Sequence, residues 1–231
     1  MVGELRNETV VSEPRWVWPL IWISFPVLGA GVGWLLTLAA GWVADLPAAP
    51  FQGVFEAVDG MAEPYATAVA LGVGLLAGLA LAYLGAREVL TVTVSGAEVT
   101  LARGDGSTRS VTRTAVAVAY LDGKQLVLLG RAGEELAREK SDLDGSGLRE
   151  ALREYGYPWH DGGDPYRDEY RRWVPDTPDL PPGADALLKA RAKALEKGDG
   201  DDAADLRAEL GKLGVVVRDE KKRQYWRAVR S

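Results

Sequence analysis

Two uncharged runs, residues 16–44 and 65–85, limit what this chain can become more than any other feature. A hydrocarbon core about 30 Å thick needs roughly 20 helical residues at 1.5 Å each, and both runs are long enough. They are therefore read as transmembrane helices. A cleaved signal peptide fits the first run poorly: Pro19 and Pro26 interrupt it, and Glu4, Glu8 and Glu13 mix with arginine ahead of it. The connector at 45–64 carries Asp45, Glu56, Asp59 and Glu63 without a lysine or arginine, whereas Arg6, Arg15 and Arg87 flank the other ends. Positive charge on that side predicts a multi-pass plasma-membrane protein with both termini cytoplasmic. Trp16, Trp18, Trp22 and Tyr83 then fall near the inner interface, with Trp42 and Tyr65 near the outer one.

Small residues recur every four positions in both runs. Gly29, Gly33, Thr37 and Gly41 form one stripe, and Ala66, Ala70, Gly74, Gly78 and Ala82 the other. Residues at i and i+4 share a helix face, so backbones can approach closely along each stripe. The stripes are expected to pack the two spans together or to join copies as a homo-oligomer. Neither run contains Asp, Glu, Lys, Arg or His. Proton and ion pathways usually need such a group at membrane depth, so the spans read as an anchor rather than a transporter.

Behind the spans the charge pattern changes. Residues 1–86 hold only Arg6 and Arg15 against seven acidic side chains, leaving 25 of the 27 basic residues to the remainder. The net charge of −6 thus arises mainly in front and says little about the partners of the tail. With no cysteine and one histidine, His160, the chain cannot build a disulfide, a thiolate zinc site, a cysteine nucleophile or a multi-histidine metal centre.

From Arg87 the apolar period becomes two. EVLTVTVSG, AEVTLARGDG, STRSVTR, AVAVAYLDG and KQLVLLG, separated by Ser-Gly, Gly-Asp-Gly and Asp-Gly, predict an antiparallel sheet of at least five strands. EELAREKSD follows as a further strand or turn. LREALREYGYPW then predicts an amphipathic helix with Leu148, Leu152 and Tyr155 on one side, capped by Gly145 or Ser146 and stopped by Gly156 and Pro158.

Strands closed by one helix just beyond a membrane anchor resemble a small bacterial pleckstrin-homology-like domain. The wording of YGYPWHDGGDPYRDEYRRWVPDTPDLPPGADALLKARAKAL, and the order of the parts, resemble the YqeB family of actinobacterial membrane proteins over nearly the whole chain. That resemblance implies two spans and a pleckstrin-homology-like domain, and it implies no reaction. Phosphoinositide binding needs a clustered basic pocket, yet residues 87–158 hold ten basic and eleven acidic side chains, with Arg103, Arg109, Arg113 and Lys124 near acids such as Asp105 and Asp122. A protein-docking or structural sheet is the better expectation.

Residues 161–183 are rich in Pro, Asp, Arg and Tyr and read as a semi-extended connector with a short helix at PYRDEYRRW. Ala184, Leu187, Leu188, Ala194 and Leu195 mark one helical face. Ala203, Leu206, Leu210 and Leu213 mark a second helix, started by Asp199 or Asp201 and stopped by Gly214. Val215, Val216 and Val217 form a strand whose partner returns through DEKKRQYW. This helical pair, glycine, strand and terminal tryptophan resemble the C-terminal segment of cysteinyl-tRNA synthetases through Arg207, Leu210, Gly214, Asp219 and Trp226. The resemblance implies an RNA-facing ancestor in which the position of Asp219 reads an anticodon base. The chain departs from that pattern at Leu195, Gly200 and Ala204, where the family carries a basic, an aromatic and an acidic residue.

The expected organisation is a multi-domain membrane protein: a cytoplasmic segment at 1–15, a transmembrane hairpin at 16–86, a pleckstrin-homology-like antiparallel β domain with a C-terminal helix at 87–159, a linker at 160–182, and a small helical module with a short β-hairpin at 183–231. GDGDDAADL lacks the spacing of a calcium loop, and no phosphate loop, dinucleotide fingerprint or nucleophile elbow stands in a strand-helix context. The chain is therefore expected to be a non-enzymatic scaffold without a cofactor, displaying docking domains to a cytoplasmic protein. RNA or tRNA binding is the alternative, with Arg218, Asp219, Lys221, Lys222, Arg223, Tyr225, Trp226 and Arg227 as contacts, because basic side chains beside aromatic rings suit phosphate contact and base stacking.

Overall fold

A computed structural model describes residues 8–14, 16–44, 65–221 and 223–230. Arg6, Arg15, Lys222 and the acidic connector at 45–64 lie outside the described residues, as do the surroundings of Gly41 and Trp42. The described chain divides into two compact units.

One unit holds the two apolar helices, α1 (Val17–Ala44) and α2 (Tyr65–Glu88). At 28 and 24 residues both are long and apolar enough to cross a membrane. Pro19 falls in the first turn of α1, where no intrahelical donor is lost. Pro26 lies in the helix interior and is buried. The end of α2 is capped from elsewhere in the same unit. Arg103 Nη1 donates to the Glu88 carbonyl at 3.0 Å, and the Gly104 amide to that of Val89 at 3.1 Å. A cation and a backbone donor thereby meet carbonyls left open at a helix C-terminus.

The other unit begins with a strand that the sequence did not announce. β1 (Glu8–Val11) pairs antiparallel with β2 (Leu90–Ser95) in the register Glu8↔Ser95 to Val11↔Val92. Part of the segment read as a cytoplasmic N-terminal stretch is thus an edge of the sheet, and in the chain the helical hairpin is inserted between two paired strands. β3 (Glu98–Arg103) and β4 (Thr108–Thr112) complete the order β1-β2-β3-β4. A second antiparallel sheet runs β5-β6-β7, from Val118–Asp122, Gln125–Leu129 and Glu135–Lys140. The single sheet expected from the strand pattern is therefore two, and EELAREKSD supplies β7.

Between the sheets lies the principal core. Leu90, Val92, Val94, Val99, Leu101 and Val111 come from the first sheet, and Ala119, Leu126, Leu128 and Ala137 from the second. Helix α3 (Gly145–Glu154) closes the core with Leu148, Ala151 and Leu152. Its cap is Asp144 rather than Gly145 or Ser146: the carboxylate accepts from the Ser146 and Gly147 amides at 3.3 and 3.0 Å. A carboxylate is the stronger acceptor at the positive end of a helix. Gly156, at φ +74°, ends α3 with the Tyr157 amide bonded back to the Leu152 carbonyl at 2.9 Å.

α4 (Ala184–Lys197) and α5 (Gly200–Lys212) pack beside the hairpin of β9 (Val215–Glu220) and β10 (Arg223–Ala228). Ala184, Leu188, Leu210, Val215, Val217 and Trp226 form their core. Asp199 caps α5 by accepting from the Asp202 amide at 3.1 Å. Two expected face residues lie outside: Leu195 is 41% and Leu213 39% exposed. Arg191 is buried at the helical spacing that Leu195 was expected to extend.

Residues 160–182 are not a connector. His160 bonds its amide to the Ala119 carbonyl at 2.9 Å, Arg167–Glu169 form a 3-10 turn, and β8 (Arg171–Arg172) pairs with β10. Trp173 and Leu180 pack on the C-terminal core. Backbone pairing and buried aromatic surface outweigh the extended preference of a proline-rich stretch.

Candidate functional site

β6 carries a continuous apolar run with Leu126, Val127, Leu128 and Leu129 all fully buried. Successive strand residues face opposite sides, so both faces of this sheet are covered. Leu126 and Leu128 point into the core between the sheets, while Val127 and Leu129 join Tyr120, Val118 and Tyr166 in a second cluster on the outer face. The C-terminal module and the 164–170 segment cover that outer face.

Arginines dominate the seam so formed. Arg138, from β7, donates through Nε to Glu135 at 2.7 Å and through Nη1 to Asp122 and Gln125 at 3.0 and 2.8 Å. Arg218, from β9, reaches Asp122 at 3.4 Å, and Arg207, from α5, reaches Glu135 at 3.5 Å. Arg207 also bonds the Val217 carbonyl at 2.6 Å and Asp219 at 3.2 Å. Arg191 clamps Asp219 with two bonds of 2.7 Å, bonds Gln224 at 2.7 Å, and donates Nε to the Ala203 carbonyl at 3.1 Å. The paired bonds match the fork of a guanidinium to a carboxylate. Burial acts to raise the Asp219 carboxyl, but the Arg191 bonds and the charges of Arg191, Arg207 and Arg138 hold it below the usual carboxylate range. Two strand-end arginines extend the seam: Arg227 Nη2 bonds the Gly133 carbonyl at 2.5 Å, and the Arg230 amide bonds that of Ala132 at 3.0 Å. A cleft of about 580 Å³ opens beside it, lined by Asp168, Glu169, Arg171, Asp179, Trp226, Arg227 and Ala228.

The eight candidate contacts are distributed unevenly over this geometry. Asp219 is taken up by Arg191 and Arg207, Trp226 belongs to the module core, and Arg227 is only 2% exposed. Arg218 pairs with Asp122, and Tyr225 is half-buried. Lys221 and Arg223 are exposed at the β9–β10 turn, and Lys222 lies outside the described residues. In the helical unit, Gly29 and Gly33 lie against Ala70, Gly74 and Gly78. A Cβ added at Gly29 would overlap the Gly74 carbonyl oxygen, one at Gly33 that of Ala70, and one at Gly78 that of Phe25. Ala82 is fully buried. Thr37 turns its hydroxyl to the Trp34 carbonyl at 2.7 Å, and Gly41 is described only as helical backbone.

Two antiparallel sheets closed by a C-terminal helix agree with what known proteins show. Residues 9–160 match the family described as a YqeB-like bacterial PH domain. A Bacillus subtilis (strain 168) protein, YqeB, is 35% identical over 222 residues, covering 96% of this chain and 92% of that one.

The chain belongs to the YqeB-like family.

The match from residue 9 takes in β1, the helical hairpin, both sheets and α3. The Bacillus relative shows that the YqeB-like family is not confined to actinobacteria. Residues 177–227 match the cysteinyl-tRNA ligase anticodon binding domain, so both resemblances read from the sequence are shown. Neither match is to a catalytic family. No solved structure significantly matches this YqeB-like chain.

Glu135, Arg138, Arg191 and Gln224, which build much of the seam, belong to no motif in the sequence. Two signals pointed to it. QLVLL is apolar on both faces, unlike a half-solvated strand, and Arg191 falls on the stripe formed by Ala184, Leu188 and Ala194.

Proposed function

We propose that this chain is a non-enzymatic integral membrane protein whose hairpin anchors one cytoplasmic docking body, the PH-like domain and synthetase-like module joined by the arginine seam, for a protein partner. The distribution of side chains on the two helices carries the membrane part. Leu28, Val32, Leu76 and Leu84 are each at least 55% exposed, whereas glycine and alanine fill the contact between the helices. Core helices of a water-soluble domain bury such large apolar side chains; spans leave them to lipid. The pairing of β1 with β2 supports an even-numbered crossing, because the chain enters and leaves the hairpin at one sheet.

Docking is favoured over RNA contact because Asp219, Trp226 and Arg227, which would read or stack on a base, are engaged within the protein. The cysteine-free sequence gives single-cysteine labelling no background. In intact cells, a membrane-impermeant maleimide is expected to label Ala48→Cys but to reach Ser231→Cys only after lysis. Release of the chain by alkaline carbonate, or the reverse labelling, refutes the anchor and its orientation. Salt-sensitive tRNA binding that is lost on Lys221→Glu and Arg223→Glu replaces docking by RNA contact.

A further inference from the structure

β10 is the central strand of its sheet, and its ladder is interrupted at one place on the β8 side. Two bonds fix which way its backbone groups point. The Trp173 amide donates to the Gln224 carbonyl at 2.9 Å on the β8 side, and the Val229 amide to the Gly214 carbonyl at 2.8 Å on the β9 side. Backbone groups of successive residues point to opposite edges of a strand, so those of Trp226 and Ala228 face the β8 side as Gln224 does. Arg171 stands opposite Trp226, and the same register would set Glu169 opposite Ala228. Glu169 does not pair there, because its amide turns to the Tyr166 carbonyl at 3.0 Å within the 3-10 turn. Beyond the gap, the Arg230 amide is taken by the Ala132 carbonyl. The N–H and C=O of Ala228 are thus left as a slot one residue wide, and Ala228 is exposed.

Ala228 lines the cleft of about 580 Å³, a volume within the range of about 300–1,000 Å³ found for ligand sites. Asp168, Glu169, Arg171 and Asp179 line the same cleft. Trp226 lines it too, 4% exposed, with its indole N–H buried and without a hydrogen-bond partner. Glu169 is held by Arg230. Arg171 reaches Asp179 only at 3.7 Å, with side-chain exposures of 71% and 74%, so water screens that pair. Asp168 has no ion-pair partner among the described residues. The Arg227 guanidinium is turned away to the Gly133 carbonyl and the tyrosine rings. Asp168 and Asp179 therefore face Arg171 alone, and the cleft can take one more positive charge. It also offers a backbone donor, a backbone acceptor and an indole donor. A peptide residue with a basic side chain meets these demands together, whereas a phosphate would meet two carboxylates. We propose that the cleft docks an extended segment of a partner protein, one lysine or arginine of which exchanges both backbone hydrogen bonds with Ala228 and sets its charge beside Asp168 and Asp179. This is strand addition confined to one residue: the backbone bonds hold the segment, and the carboxylates select it. The inference names the partner chemistry of the docking reading and rests on that reading.

Fluorescence anisotropy on the full chain in detergent tests this with capped hexapeptide pools of Ala, Val, Thr and Ser that carry Arg, Lys, Ala or Glu at one central position. The Arg and Lys pools are expected to bind about tenfold more tightly than the Ala pool, and the Glu pool most weakly. Asp168→Lys combined with Asp179→Lys, both at exposed positions, is expected to reverse that order in favour of Glu. Methylating the amide nitrogen of the central Arg removes the donor to the Ala228 carbonyl and is expected to weaken binding about tenfold, which a purely ionic attraction would not show. Equal binding of all the pools, an order unchanged by the two lysines, or an N-methylated peptide as tight as its parent overturns the proposal. Those results leave docking in place at another surface, whereas tRNA binding lost on Lys221→Glu and Arg223→Glu removes the docking reading itself.

Discussion

Gly29 and Gly33 meet Ala70, Gly74 and Gly78 backbone to backbone, whereas Arg207, Arg218 and Arg227 join a sheet to a helical module through carboxylates, a carbonyl and tyrosine rings. The first contact contains no charged side chain, and the second holds several of the most buried ones among the described residues. The difference follows from the solvent each contact replaces. Among apolar surroundings, association gains nothing from hiding leucine, so the interface is built from dispersion between closely approaching backbones. In water, burial of Val127, Leu129 and Trp226 supplies the drive, and the directional bonds of Arg207, Arg218 and Arg227 select a single arrangement of the parts.

The largest expected effect comes from removing the clamp on Asp219. Arg191→Ala leaves the Asp219 carboxylate beside Arg207 alone and takes the partner from Gln224 Oε1; with Asp219 36% exposed, solvent screening holds the cost at the low end for a broken buried pair, about 3 kcal/mol. Urea unfolding in detergent should show a midpoint lowered accordingly; an unchanged midpoint would mean that the seam orients the module without stabilising it. On the other side of the comparison, Gly74→Val forces its Cβ into the Gly29 carbonyl, and overpacking of this kind costs about 1–3 kcal/mol. Tryptophan fluorescence reads it directly, since Trp18, Trp22, Trp34 and Trp42 lie in α1 and none in α2.

Acid should separate the two contacts further. Asp219 titrates lower in the folded chain than its unfolded value of about 3.9, so the unfolded state takes up the proton first as pH falls. Its contribution is intact above about pH 4 and disappears below it. Unfolding followed between pH 6 and 2 should therefore destabilise the seam before the helical hairpin, with the difference reduced in Asp219→Asn. The smallest effect is expected at Lys124, whose 2.7 Å pair with Asp142 is open to solvent on both sides, at 78% and 55% side-chain exposure. Lys124→Ala should leave the unfolding midpoint where it was, at low salt and at high.

How legible each contact was in the sequence tracks the distance between its partners. Gly29 and Gly33 share a face because they are four residues apart, and the same spacing placed Ala70, Gly74 and Gly78; no knowledge of the fold was needed to see the stripes. Alternation and turn residues marked the strands from β2 onward, and Gly156 marked the end of α3. β1 escaped notice because four residues next to a long apolar run show too little of a period to register. The 160–182 segment read as a connector because its composition is that of one, while its order comes from β10 and the Trp173 environment, some 50 residues further on. Arg218 and Asp122 are 96 positions apart, and no local pattern joins them.

Composition and short-range period, read along the chain alone, settled the two long apolar helices, their small-residue faces, the strand-rich middle and the helical pair with its closing hairpin, since each is specified by residues within a few positions of one another. Tertiary structure decided that β1 belongs to the sheet, that the outer face of β6 is covered, and that Asp219, Trp226 and Arg227 face inward. A side chain's chemistry fixes which partners it can accept, but only the folded arrangement brings one of them within 3 Å and excludes the water that would otherwise have taken its place.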